Sequence, residues 1–187
     1  MPTTPMTSYA VTAPSRDELE RAMARIVSIP DYPEPGVLFR DVLPLFAHPE
    51  AFSVAMRALV APFNGEYDVV AGVEARGFLI AGAVAAHVGC GLVPIRKAGK
   101  LPRPAASRSY DLEYGSATIE MQDDLEPGTR VLILDDVLAT GGTLAASCAL
   151  VRDIGYEVAG VGALLELDTF GGRTKLDGEF VHSVELG

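Results

Sequence analysis

The segment Arg130-Val131-Leu132-Ile133-Leu134-Asp135-Asp136-Val137-Leu138-Ala139-Thr140-Gly141-Gly142-Thr143 decides the fold. Val131 to Leu134 is short and apolar without alternation, as a strand covered on both faces of a parallel sheet requires. From Leu144 to Ile154 apolar residues recur at helical spacing, so the loop between runs from a strand end to a helix start. Unpaired N–H groups and the positive end of a helix dipole favour an anion at such a place. Thr140 and Thr143 add hydroxyl donors, and Gly141 and Gly142 allow tight turning and close approach of the main chain to a ligand. A phosphate held by this loop leaves Asp135 and Asp136 about one sugar-length away, placed to accept hydrogen bonds from vicinal hydroxyls.

Val73-Glu74-Ala75-Arg76-Gly77 repeats the arrangement. An apolar strand over Tyr67 to Val73 ends there and a helix over Gly77 to Val88 begins, so a second anion is expected. The planar donor fork of Arg76 suits phosphate oxygens. A purely structural turn, with Glu74 and Arg76 paired to neighbours, is the alternative for this site taken alone. Two strand-end anion sites in one sheet point to a substrate with phosphate groups at both ends of a sugar. Adjacent carboxylates at a strand end can bind a divalent metal or ribose hydroxyls. Neighbouring strand residues point to opposite faces, which disfavours one tight chelate from Asp135 and Asp136 and favours sugar contacts.

Further strands are expected at Leu92 to Ile95 and Val158 to Leu165, and a helix at Pro49 to Val60 with proline in its first turn. Ser15-Arg16-Asp17-Glu18 has capping-box spacing and opens an amphipathic helix carrying Leu19, Ala22, Met23, Ile26 and Val27. The alternation predicts an α/β fold, an open, mostly parallel sheet flanked by helices, with ligands at the carboxyl ends of the strands. Residues 31–41 contain Pro33, Pro35 and Gly36 among bulky side chains and read as a packed loop. Between Ala98 and Gly115 the alternation fails in a charged, proline-bearing stretch whose length suits a functional lid, and Ala117 to Met121 reads as a short outlying strand.

The 187 residues, 49% of them hydrophobic, suffice for one core, expected as a single domain over residues 15–187 behind a disordered tail over residues 1–14. A net charge of -10 argues against nucleic acid as a partner. The cations that do cluster, Arg96, Lys97, Lys100, Arg103 and Arg108, are expected to form a local anion site, a solvated loop being the alternative. Cys90 and Cys148 lie in apolar stretches without metal-ligand spacing, which suggests buried thiols in a reducing compartment. The tail does not read as a signal peptide, and the uncharged run Gly77 to Ile95 is interrupted by His87, Pro94 and glycines, so no membrane association is expected.

Leu132 to Thr143 resembles the phosphoribosyl pyrophosphate (PRPP) binding motif of the type I phosphoribosyltransferases. Four more blocks narrow the resemblance to the adenine phosphoribosyltransferases: Phe39-Arg40-Asp41, Glu74-Ala75-Arg76-Gly77-Phe78, Arg96-Lys97-Ala98-Gly99-Lys100-Leu101-Pro102, and Ser109-Tyr110-Asp111-Leu112-Glu113-Tyr114-Gly115. The blocks run in family order, and the resemblance covers roughly residues 15 to 177. Departures are small: Val137 stands where leucine is commoner, and Ala105 to Arg108 matches least.

The resemblance implies the type I phosphoribosyltransferase fold with a flexible lid and a small base-binding hood. It implies the reaction of adenine with PRPP to give AMP and pyrophosphate, a step of purine salvage, in a cytoplasmic homodimer. Ala139, Thr140, Gly141, Gly142 and Thr143 would hold the 5′-phosphate, and Asp135 and Asp136 the ribose hydroxyls. Arg76 and Lys100 would meet pyrophosphate, with Arg96 reaching across the dimer interface. Leu38, Phe39 and Arg40 would frame adenine, partly through the main chain, and Glu113 would orient the base or manage its proton. The resemblance also implies a cis peptide between Glu74 and Ala75. Mg2+ is expected as cofactor, held by PRPP and water rather than by a direct protein ligand. A transferase for another base and a PRPP-sensing regulator are the competing readings; the second calls for a basic DNA-binding module that this acidic chain does not display.

Overall fold

The computed structural model describes residues 11–111 and 115–187. Helix α1 (Arg16–Met23) opens on the expected capping box, with Ser15 and Glu18 satisfying each other's backbone N–H groups. Strands β1 (Val27–Pro30) and β2 (Leu38–Asp41) then pair antiparallel as a separate two-stranded sheet. The packed loop expected over residues 31–41 is thus the turn and second strand of a hairpin. Its prolines hide the strand signal, since proline suits only the edges of sheets; Tyr32 and Phe39 hold the hairpin by an edge-on aromatic contact at 5.2 Å.

A short helix α2 (Leu43–Phe46) leads to α3 (Pro49–Val60), followed by β3 (Val69–Val73), α4 (Arg76–Val88) and β4 (Gly91–Lys97). Next come β5 (Ala106–Asp111), β6 (Ser116–Met121), β7 (Arg130–Leu138), α5 (Gly142–Asp153), β8 (Glu157–Glu166) and β9 (Val181–Leu186). Seven strands form the main sheet in the order β5-β6-β4-β3-β7-β8-β9. All pairings from β4 to β9 are parallel, while β6 joins β4 and β5 antiparallel. Much of the expected lid is therefore a β-hairpin that extends the sheet. Its first strand, Ala-Ser-Arg-Ser-Tyr-Asp, has no apolar alternation, so only its partner was legible.

The side-chain alternation of the central strands builds two cores. Val70, Leu132 and Leu134 point to one face, against Leu59 of α3 and Ile80, Ala81 and Val84 of α4. Val69, Ala71, Val131 and Ile133 point to the other, against Leu144, Cys148 and Val151 of α5. Val11, within the segment expected to be a disordered tail, is buried in the first core and its N–H donates to Asn64 Oδ1 at 3.1 Å. Its apolar side chain anchors the chain just before α1; residues 1–10 lie outside the described residues. Among the described residues, no helix is long and apolar enough to cross a membrane.

Candidate active site at the carboxyl ends of the strands

Both expected strand-to-helix turns lie side by side, because β3 and β7 are neighbours in the sheet. Neither following helix has a side-chain cap: α4 starts from Ala75 and α5 from Gly141, whose φ of 74° is left-handed. In α1 a serine caps the first turn, whereas here no side chain does so, and the first N–H groups, apart from that of Phe78, which donates to the Ala75 carbonyl at 3.2 Å, stay available to a ligand. The peptide between Glu74 and Ala75 is cis. Gly77 serves close packing rather than ligand access: a Cβ there would lie 2.7 Å from the Leu134 carbonyl oxygen and 3.1 Å from Asp135 Oδ1. The start of α4 therefore rests directly on the end of β7.

Asp136 is 5% exposed, and its carboxylate lies 2.9 Å from Arg76 Nε. Asp135 Oδ1 accepts the Asp136 backbone N–H at 2.9 Å. Burial raises both carboxyls above the ordinary carboxylate range, Asp135 well above it because the Asp136 charge adds to the effect; the Arg76 guanidinium opposes the rise at Asp136. Arg76 also sits 5.7 Å from the centroid of the Phe39 ring, linking the hairpin to the anion turn. The pairing of Arg76 with a neighbour, the structural alternative for this turn, is thus present.

The basic cluster divides. Lys100 Nζ meets Glu74 Oε1 at 2.7 Å and Arg96 Nε approaches Glu74 Oε2 at 3.4 Å, so both cations border the first turn. With the Lys97 backbone N–H also donating, Glu74 is held down to about 2, the Lys100 hydrogen bond being the main cause. Arg103 instead binds Asp124 at 2.7 Å, and Arg108 binds Asp153 at the end of α5. These two tie down the base of the hairpin and contribute no charge to the site. Sequence proximity could not reveal this, since both partners are remote along the chain.

Beside Asp136 opens a cavity of about 460 Å³, with Leu38, Phe39 and Arg40 on one wall and Leu165, Leu167 and Phe170 on the other. Val137 and Ala139 also line it. The Arg40 guanidinium turns toward the C-terminal strand, where it binds Glu185 at 2.5 Å. The wall formed by Leu165 to Phe170 was missed in the sequence, although the strand-end rule that located the other turns applies equally to the end of β8. A groove of about 600 Å³ between α1 and α3, lined by Arg21, His48 and Arg57, holds none of the expected site residues. Glu113 lies outside the described residues.

The carboxylate pair suits a cation that arrives with its own phosphate and water ligands. Among the described residues no three metal-ligating side chains converge, Asp136 is engaged with Arg76, and one oxygen of Asp135 is taken by a backbone N–H.

Two uncapped helix starts flanking a carboxylate pair, beside an apolar cavity, suit a ligand that joins phosphate groups, a sugar and an apolar ring, and comparison with known proteins gives the class as phosphoribosyltransferase. The family described as "Phosphoribosyl transferase domain" matches residues 45–178. The adenine phosphoribosyltransferase of Renibacterium salmoninarum is 52% identical over 171 residues, 90% of this chain and 94% of the relative. The crystal structure of the enzyme of that name from Rhodothermus marinus superposes with a TM-score of 0.86 at 46% identity, covering 92% of this chain and 100% of its own. The Saccharomyces cerevisiae enzyme, crystallised with an imino-altritol bisphosphate and adenine, gives 0.85 at 35% identity, over 90% of this chain and 99% of its own. The chain belongs to the adenine phosphoribosyltransferase family.

Proposed function

We infer that the chain transfers the 5-phosphoribosyl group of PRPP to adenine, releasing AMP and pyrophosphate in purine salvage. The observation that carries this reading is the adjacency of the two uncapped helix starts, with Asp135 and Asp136 between them and the apolar cavity alongside. Ala139 to Thr143 hold the 5′-phosphate through backbone N–H groups and the Thr140 and Thr143 hydroxyls. Asp135 and Asp136 accept the ribose hydroxyls. Arg76 and Lys100 meet the pyrophosphate group; Arg96 serves the same anion in the partner subunit of a homodimer. Exposed Leu79 of α4 and Leu92 of β4, on the elements that adjoin and carry Arg96, supply apolar surface for that assembly.

Leu38, Phe39 and Arg40 bind adenine in the cavity, Phe39 offering ring surface and Arg40 its backbone, since its guanidinium is engaged by Glu185. Adenine N9 then attacks ribose C1 as the C1–O bond to pyrophosphate breaks, with inversion and oxocarbenium character in the transition state. Arg76 and Lys100 stabilise the charge gathering on the departing group, and their fixed positions make that stabilisation effective. Adenine must lose its N9 proton on becoming AMP, and Glu113 is the carboxylate we assign to orienting the base or taking that proton. Mg2+, when bound with PRPP, neutralises phosphate charge; Asp135 or Asp136 would contact it through water. Closing the Ala98 to Gly115 segment over the site excludes water from the cationic sugar. Free Cys90 and Cys148 suit the reducing cytoplasm.

The test is a PRPP-dependent assay with adenine, hypoxanthine, guanine and orotate, with and without Mg2+. Product from adenine alone, with magnesium, is expected. Product from guanine or hypoxanthine but none from adenine overturns the subtype, and none from any base revives the regulator.

A further inference from the structure

The phosphate loop stands on a second piece of chain. Gly172 lies in the 3-10 turn over residues 172–176 that follows β8, and a Cβ on it would fall 2.0 Å from the Ala139 carbonyl oxygen and 2.6 Å from the Gly141 nitrogen. A Cβ on Gly141 would in turn lie 2.2 Å from the Gly172 carbonyl oxygen. The two backbones are thus in contact with no side chain between them. Gly141 has a left-handed φ and α5 has no side-chain cap, so nothing within the loop holds its N–H groups in their direction.

The residue after Gly172 is fixed more firmly than a surface turn requires. Arg173 Nε and Nη2 bind both oxygens of Glu166, at 2.9 and 2.5 Å, and Nη1 donates to the Val181 carbonyl at 2.9 Å. Glu166 ends β8, is 3% exposed, and accepts a further hydrogen bond from Ser183 Oγ at 2.6 Å. A planar two-point pair of this kind fixes orientation as well as distance, which a lysine in place of arginine cannot do.

We propose that Arg173, clamped by Glu166 and Ser183, is a positioning residue that presses Gly172 against the underside of the Ala139–Thr143 loop and so sets the geometry of the 5′-phosphate site. Arg173 touches no substrate; it acts through the backbone of its neighbour. The proposal rests on the assignment of that loop to the 5′-phosphate. Its consequence is selective: binding of ligands with a 5′-phosphate depends on Arg173, whereas binding of the free base does not.

The test uses the full chain with Arg173→Lys, Gly172→Ala, the loop variant Thr140→Ala/Thr143→Ala, and Arg130→Lys as control. Arg130 makes a comparable pair with Asp68, but at the opposite end of β7. AMP and adenine binding are measured by calorimetry, and KM for PRPP and adenine by initial rates. For Arg173→Lys and Gly172→Ala the Kd for AMP and the KM for PRPP are expected to rise about tenfold, with both adenine values within twofold of wild type. Arg130→Lys should move none of them. Equal changes for PRPP and adenine, no change in a folded Arg173→Lys protein, or failure of that variant to fold would each overturn the proposal in favour of a general structural role. If the threonine variant leaves AMP binding intact, the assignment of the loop itself is wrong, which separates that failure from this one.

Discussion

Arg76 and Asp136 are joined across the two strand ends, guanidinium Nε to carboxylate at 2.9 Å, so the cation assigned to pyrophosphate and a carboxylate assigned to ribose neutralise each other in the substrate-free protein. Substitution by glutamine removes the charge and leaves Asp136 buried without its partner. For Arg76→Gln we expect kcat/KM for PRPP to fall about 100-fold, equivalent to about 2.7 kcal/mol of transition-state stabilisation. Steady-state kinetics should place the loss on PRPP, with KM for adenine little changed, and Tm should fall.

Asp135→Asn should stabilise the protein while impairing it. Burial and the charge of Asp136 raise the Asp135 carboxyl in the folded state, so its ionisation opposes folding at neutral pH. The penalty is complete above the raised folded value and absent below the unfolded value of 3.8. Thermal melts should show the variant more stable than wild type at pH 7, with the difference shrinking as pH falls toward 4. Activity should drop at least tenfold, because an amide accepts ribose hydroxyl hydrogen bonds less strongly than a carboxylate.

Glu74 titrates in the opposite sense. Its folded value of about 2 lies below the ordinary 4.5, so the ionised group stabilises the fold above pH 4.5, and that contribution is lost as pH falls toward 2. Glu74→Gln should therefore melt below wild type at neutral pH, and the two curves should converge in acid. Melting temperatures at half-unit pH steps test this directly.

Glu113→Gln is expected to cut kcat with adenine by about 10²-fold, within the range of a lost acid–base group. Wild-type turnover in this variant would remove the residue from the mechanism.

The parts of the site legible in the sequence share one property: each is announced by a contiguous pattern. Val131 to Thr143 and Val73 to Gly77 carry a strand, a turn and a helix start in one segment, so their placement follows from local rules. The opening capping box and α3 were readable for the same reason. What escaped depends on distant pairing. The β1–β2 hairpin is masked by its prolines, and β9 alternates His182, Ser183 and Glu185 with valines and leucine in a way that an exposed loop also shows. It becomes a strand because β8 lies beside it.

Side-chain partners were the least legible. Arg96, Lys97, Lys100, Arg103 and Arg108 form one cluster along the chain, yet Glu74, Asp124 and Asp153 distribute four of them to different tasks. Arg40 likewise answers to Glu185, 145 residues away along the chain. Charge density along a sequence thus locates cations without assigning them.

Gly77 lets the main chain at the start of α4 close onto the Leu134 carbonyl and the Asp135 carboxylate at the end of β7. The spacing between the two helix starts is then set largely by how closely α4 packs on β7. The distance between the two turns is therefore a property of how the sheet stacks its neighbouring strand ends.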